Sequence, residues 1–280
     1  MNGILVVNHF LKSEKFEELH SHLMKAAENM GICLEQKTNL ELACETPKCD
    51  FVLFWDKDVN LATRLENAGL RVFNSARSIA LCDDKAKTYL ALDGIVPQPE
   101  TLIAPLSFGN ADYSDFAETA IEKLGLPIVF KECFGSFGEQ VFLCSSKAEI
   151  LEKITERPFL LQKFVEGSRG EDMRIEVIGG KAVCAMRRRN ADDFRSNITN
   201  GGIAETCTPT DEEAALAVKA CKALGLTFGG VDILNNGTVC EVNSNAHIIN
   251  IMRATGIDLA PIIFGEIWDN INERHIDLQQ

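Results

Sequence analysis

Apolar and polar positions along the chain alternate between the period of a strand and that of a helix. Residues 4–7 form a short apolar run, and Phe16, Leu19, Leu23, Ala26 and Met30 follow at the spacing of a helix buried on one face. Ser13 stands where an N-cap belongs, and Gly31 where a helix stops. An apolar run at 51–55, a helical stretch to about Ala68 closed by Gly69, and a run at 70–73 complete a βαβ pattern, which predicts a parallel sheet. The opening run has no positive n-region and leads directly into the charged segment 12–18, so it reads as a buried first strand and not as a secretory leader.

A helical stretch over 75–92 precedes Val96-Pro97-Gln98-Pro99, whose prolines cannot continue it. After a helix over about 115–124, ended by Gly125, the runs 128–131 and 141–144 predict a hairpin around Gly135-Ser136-Phe137-Gly138. A short helix then leads to an apolar strand at 159–165 and a polar turn at 166–170. Strands at 174–178 and 182–186 join through Gly179-Gly180, a helix covers about 211–224, and strands at 230–234 and 239–243 join through Asn235-Asn236-Gly237. An amphipathic helix over about 257–271 closes the pattern. The expectation is an α/β (α+β) protein with units at 1–74, 75–166 and 167–280.

With 280 residues the chain is long enough for about two domains, or one elaborated α/β unit. Its net charge of -13 disfavours nucleic acid and anionic membranes as partners, and no run approaches the roughly 18 apolar residues of a bilayer span. The ten cysteines are spread without a CxxC pair, mostly inside apolar runs, which predicts reduced, buried thiols and a cytoplasmic protein. An exposed apolar patch on the first unit would make the chain a homo-oligomer.

Three constellations carry chemistry. The glycine loop sits between strands, not before a helix, so it is no Walker A loop; its backbone N–H groups can still approach phosphates, and Lys131 on the preceding strand supplies a positive charge beside it. Glu241 and Asn243 are two apart on one strand and share a face, and the turn at Asn236-Gly237 can bring Asp232 beside them; three oxygen ligands suit Mg²⁺ held with substrate phosphates. Residues 169–197 hold seven basic side chains against five acidic ones, so that segment is positive inside an acidic chain, and arginine forks suit phosphate and carboxylate. Alternation sends Arg188 to the face opposite Arg187 and Arg189. His247 is the one histidine near these groups, and it reads as a residue facing or supporting the substrate.

Taken in order, these residues resemble the ATP-grasp superfamily, and within it the RimK-like carboxylate–amine ligases. The resemblance runs from about Asn74 to Ile271 through Phe73-Asn74-Ser75-Ala76, Asp84-Lys85, Val129-Phe130-Lys131 with the glycine loop, Leu161-Gln162-Lys163-Phe164-Val165, Gly170-Glu171-Asp172-Met173-Arg174, Asp193-Phe194-Arg195-Ser196-Asn197, Gly230-Val231-Asp232 and Glu241-Val242-Asn243. It implies a fold of two subdomains clamping ATP, preceded by a small parallel-sheet domain. Lys85 and Lys131 would hold ATP phosphates under Gly135, Ser136 and Gly138. Gln162, Lys163, Phe164 and Val165 would form the adenine hinge, Asp172 would serve the ribose, and Arg195, Ser196 and Asn197 match further ATP-site positions. Asp232, Glu241 and Asn243 would ligate Mg²⁺ or Mn²⁺, and Arg174 and Arg195 would stabilise the acyl phosphate and the tetrahedral intermediate.

The implied activity is an ATP- and Mg²⁺-dependent ligase that adds an amino acid, glutamate-like given the arginine patch, to a peptide or small-molecule carboxylate. A D-amino-acid or dipeptide ligase and a non-catalytic ATP-binding regulatory module are the alternatives. Ser244-Asn245-Ala246-His247 departs from the small residue, Ser, Pro and Gly common at that point, on the side that normally faces the amine and acceptor. Lys163 replaces a common glutamate, and the arginine stretch is one residue short. Neither favours a ribosomal protein as the acceptor.

Overall fold

The computed structural model describes residues 1–107, 109, 111–136, 138–198 and 201–277, with side chains to 272. Phe137 of the glycine loop lies outside them. The amino-terminal part runs β1 (Asn2–Val7), α1 (Glu14–Asn29), β2 (Cys33–Thr38), β3 (Phe51–Phe54), α2 (Val59–Asn67) and β4 (Val72–Phe73). Its sheet has the order β2-β1-β3-β4, with every pairing parallel, as the βαβ pattern requires. β1 and β3 are covered on both faces, which is why they read as unbroken apolar runs.

Two helices follow, α3 (Ala76–Asp83) and α4 (Lys85–Leu92), where the sequence predicts one helical stretch. The break falls at Asp84, whose backbone is extended and whose carboxylate accepts hydrogen bonds from the Ala86 and Lys87 N–H groups. Next come β5 (Thr101–Ile103), α5 (Ser114–Leu124), β6 (Ile128–Glu132), β7 (Val141–Cys144), α6 (Lys147–Lys153) and β8 (Phe159–Lys163), forming an antiparallel sheet in the order β5-β8-β6-β7. Phe130 and Phe159 stack in its core, with ring centroids 4.9 Å apart.

The third sheet is built from β9 (Glu171–Ile178), β10 (Lys181–Arg189), β11 (Ile203–Cys207), β12 (Phe228–Ile233) and β13 (Val239–Asn243) in the order β11-β10-β9-β12-β13, with α7 (Asp211–Leu224) between β11 and β12. Met173, Ile175, Val177, Val231 and Ile233 alternate onto one face, where they pack with Ala217, Ala220 and Leu224 of α7 and with Leu92 and Val96. Thus α4, grouped by sequence with the glycine-loop unit, packs on the third sheet. α8 (Ile248–Thr255) and α9 (Ala260–Asp277) end the chain; α9 starts later than the predicted helix, and α8 is unforeseen. Both share a core with α1 and the first sheet.

Asn74 fastens the first sheet to the third. It is fully buried, its side-chain N–H group donates to the carbonyls of Phe228 (2.8 Å) and Ser244 (3.0 Å), and its oxygen accepts from the Thr227 N–H (2.8 Å). The thiols depart from the prediction: Cys133, Cys144 and Cys221 are buried, but Cys33 and Cys44 are exposed. No helix among the described residues is long and apolar enough to cross a membrane.

Candidate active site

Register puts the candidate residues on the second face of the third sheet. Arg174 on β9 is opposite Met186 on β10 and Asp232 on β12, and Asp232 is opposite Glu241 on β13. One row along, Glu176 faces Cys184 and Gly230, and Gly230 faces Asn243. On the other side Asp172 faces Arg188. Strand alternation therefore gathers Asp172, Arg174, Glu176, Arg188, Asp232, Glu241 and Asn243 on one polar wall. Gly230 leaves room for Glu176, since a Cβ there would lie 2.7 Å from Glu176 Oε1.

The wall is tied together by charge. Arg174 Nε and Nη2 donate to Asp232 Oδ1 (2.6 Å) and Oδ2 (2.7 Å), while Arg188 Nε and Nη2 donate to Asp172 Oδ1 (2.7 Å) and Oδ2 (2.6 Å). Arg188 also reaches Asp232 at 2.8 Å, and the Ser196 hydroxyl donates to Asp172 at 2.5 Å. Burial works against the Asp232 charge, but the two guanidiniums outweigh it and hold that carboxyl below its usual range. At Glu176 burial dominates and pushes the carboxyl up to about 7. Arg188 is buried while Arg187 and Arg189 turn to Glu171 on the opposite face, as alternation predicts.

Two cavities share this wall. The first lies beneath the glycine loop and is lined by Lys85, Lys131, Gly135, Ser136 and Gly138, with Gln162, Asp172, Arg195, Ser196, Asn197, Asp232 and Glu241 around it. Lys85 Nζ donates to the Gly135 carbonyl (3.3 Å). Burial pushes the Lys85 ammonium down and the Lys131 charge adds to this, against the pull of Glu241. Among the described residues neither Lys131 nor Glu241 has a hydrogen-bond or ion-pair partner. Two lysines share a part-buried cleft beneath the glycine loop, an arrangement of charge that suits an anion.

The remaining expected residues make the following contacts. Lys163 ends β8 and Phe164 and Val165 follow it, none of them lining this cavity; the Phe164 ring meets Phe194, and the Arg169 guanidinium lies 4.9 Å over it. Gln162 is buried and donates to Thr101 Oγ1 (2.9 Å). Arg195 is paired with Asp193, and its Nη1 donates to the Gly138 carbonyl (2.6 Å), latching the glycine loop to the third sheet's side. The arginines of the patch are therefore each paired with an acid of the fold, so the local charge excess does not by itself mark a receptor for an acidic substrate, although Arg174 and Arg188 still line the large cavity.

The second cavity, of about 610 Å³, lies between the third sheet and the first and meets the other at Gly135, Ser136, Gly138, Arg188, Asn197 and Glu241. Arg174, Met186, Asn243, Asn245 and His247 line it from one side, and Asn8, Lys15, Phe16, Trp55, Asp56 and Lys57 from the other. The amino-terminal contributors are functional candidates the sequence did not single out; the available signal was that Asp56 follows directly on an apolar parallel strand, where α/β sheets place their ligands.

The expected metal ligands are an acidic pair and an amide, and among the described residues no group of three or more His, Cys, Asp and Glu side chains could hold a metal. They nevertheless suit an oxygen-coordinated cation. Glu241 is uncommitted, and Asn243 leaves its buried Nδ2 without a partner, so the amide can turn its oxygen into the cavity. Asp232 accepts two hydrogen bonds from Arg174 and has the Arg188 guanidinium 2.8 Å from Oδ2, short of the roughly four contacts a carboxylate can accept.

Comparison with known proteins places this geometry. An uncharacterised protein of Mycoplasma pneumoniae is 34% identical over 245 residues, covering 81% of this chain and 85% of its own. Human N-acetylaspartylglutamate synthase A is 35% identical over 219 residues, 74% of this chain, of which the chain spans only 55%. Bacillus anthracis D-alanine–D-alanine ligase, solved with ATP, superposes with a TM-score of 0.76 over 99% of both chains at 17% identity, which establishes a common fold. The RimK-like ATP-grasp domain matches residues 77–267. With that match spanning the glycine loop, the first cavity and the polar wall, the chain belongs to the RimK-like ATP-grasp family.

Proposed function

We propose that this protein is an ATP- and Mg²⁺-dependent carboxylate–amine ligase that joins an amino acid, glutamate or one of similar chemistry, to a peptide or small-molecule carboxylate. The observation that carries it is the shared wall: a cleft built for phosphates opens at Glu241 and the glycine loop onto a cavity large enough for two small substrates.

Lys85 and Lys131 bind the transferring phosphates and offset the charge that develops on them, with Gly135 and Gly138 giving the backbone close approach. Glu241, Asn243 and Asp232 would hold Mg²⁺, which when bound would neutralise phosphate charge. Arg174 is fixed by its two bonds to Asp232 and presents the rest of its guanidinium to the large cavity, where it orients the acceptor carboxylate. The glutamate assignment is supported by the name of the human relative. The test is ADP release with Mg²⁺·ATP across pools of amino acids and carboxylate acceptors, with product mass. A mass gain of one amino-acid residue per ADP is expected; nucleotide binding without product on any pool would favour a regulatory module.

A further inference from the structure

The first sheet has the strand order β2-β1-β3-β4, so the chain reverses direction across the sheet between β1 and β3. Ligands of open α/β sheets lie beyond the carboxyl ends of the strands at such a point. Here Asn8 follows β1 and Asp56 follows β3 closely, both line the large cavity, and Asn8 Nδ2 donates to Asp56 Oδ1 at 2.9 Å. The Lys57 N–H donates to the same oxygen at 2.7 Å, and the Lys57 ammonium goes to Asp83. Asp56 is 7% exposed, and its second oxygen, Oδ2, has no partner.

The opposite lip repeats the pattern. Asn245 Nδ2 donates to the Asp56 carbonyl at 2.9 Å, which fixes the orientation of the amide and leaves Asn245 Oδ1 buried and unpartnered. Two neighbouring side chains thus each use one polar atom to hold the other or the loop, and each leaves an acceptor unfilled. An unfilled buried acceptor costs about 1–3 kcal/mol, more for a charged one, so the pair calls for a donor-rich ligand. Burial raises the Asp56 carboxyl above its usual range in spite of the bonds from Asn8 and Lys57, and a bound cation would reverse that.

We propose that Asp56 and Asn245 form a subsite for a protonated amino group, through which a substrate of the large cavity is held. The inference deepens the ligase reading and rests on it for the substrate class, amino acids or amino-bearing acceptors. It also gives a purpose to Asn245 in the segment Ser244-Asn245-Ala246-His247.

Asp56→Asn is a clean probe, because the amide oxygen can keep both bonds at Oδ1 while the unpartnered acceptor at Oδ2 becomes a donor. Calorimetry in the presence of Mg²⁺ and a non-hydrolysable ATP analogue compares each of the twenty amino acids with its analogue lacking the amino group, such as L-glutamate with glutarate. The expected result is that at least one amino acid binds wild type better than its analogue, that Asp56→Asn weakens it about 10- to 100-fold, as loss of a charge-assisted bond implies, and that nucleotide affinity and the analogue's affinity do not move. Asn245→Ala should weaken it in the same selective way by a smaller factor. Equal losses for amino acid and analogue, an unchanged amino-acid affinity, or no amino-acid binding to wild type would overturn the proposal. Once an acceptor is known, N-acetylating it separates the two sources: loss of affinity assigns the ammonium to the acceptor, and retention assigns it to the incoming amino acid. Amino-acid binding that depends on Asp56 without ADP release from any pair would refute the ligase reading and leave the subsite standing.

Discussion

Replacing Arg188 by methionine tests the reading of the polar wall as a charge-balanced unit. Arg174 and Arg188 face Asp172 and Asp232, two cations against two anions, with the Arg188 and Asp232 side chains exposed by only 4% and 2%. The variant leaves two buried carboxylates and one guanidinium. Breaking a buried pair by removing one partner costs about 3–5 kcal/mol, because the other charge stays behind. At about 2–4 °C per kcal/mol for a chain of this size class, the midpoint of thermal unfolding should fall by about 6–20 °C. The second variant restores balance: with Asp172→Asn added, Arg174 and Asp232 remain as a complete pair. The double-mutant cycle should then show favourable recovery of about 2–3 kcal/mol, at the upper end for residues in one network. The assay is calorimetry of the two single variants, the double variant and wild type at neutral pH. A fall of less than about 1 kcal/mol for Arg188→Met, as for an exposed pair, or additive losses in the double variant, would refute the charge-balance argument.

Three further outcomes are expected. Burial holds the Glu176 carboxyl at about 7 in the folded state against 4.5 ordinarily, so the folded protein keeps a proton that the unfolded chain loses; stability from this group is full below about pH 4.5, declines as pH rises to 7, and Glu176→Gln should stabilise by on the order of 2–3 kcal/mol at pH 8 but hardly at pH 4.5, measured as unfolding midpoints across that range. Asn74→Ala removes donors and acceptors from buried groups of Thr227, Phe228 and Ser244 and should cost about 2–4 kcal/mol, with hydrogen exchange accelerating first where the first and third sheets meet. Lys131→Ala and Glu241→Gln should each lower kcat/KM by about 10²–10³, and Glu241→Gln alone should also raise the Mg²⁺ concentration needed for half-maximal rate.

How much of this was legible in the sequence follows from where each element sits. β1 and β3, buried on both faces, and the hairpins around Gly179-Gly180 and Asn236-Gly237 were plain, because burial and turn chemistry write strong local signals. The strands that escaped, β2, β5 and β11, all lie at sheet edges; Cys33–Thr38 reads CLEQKT because an edge strand with one solvated side needs little apolar sequence. Asp232, Glu241 and Asn243 were recoverable from a two-residue spacing and one hairpin turn. Asp56 carried only the signal of its place after an apolar parallel strand, and its pairing with Asn245 carried none, since the bond between them spans 189 residues and only the folded chain brings β3 to the loop after β13. The arginines were visible as a patch, but the acids that pair with Arg174, Arg187, Arg188 and Arg189 come from neighbouring strands, so that balance emerges from register.

The central claim, carboxylate activation by phosphoryl transfer at the wall between the two cavities, is tested most directly by isotope. An acceptor identified by the product screen is labelled with ¹⁸O in its carboxylate and turned over with Mg²⁺·ATP and the amino acid, and the released phosphate is analysed by mass. An acyl phosphate requires the carboxylate oxygen to leave with phosphorus, so one ¹⁸O per inorganic phosphate is the expected result, with ADP as the other product. Unlabelled phosphate, or label appearing in AMP, would contradict the account.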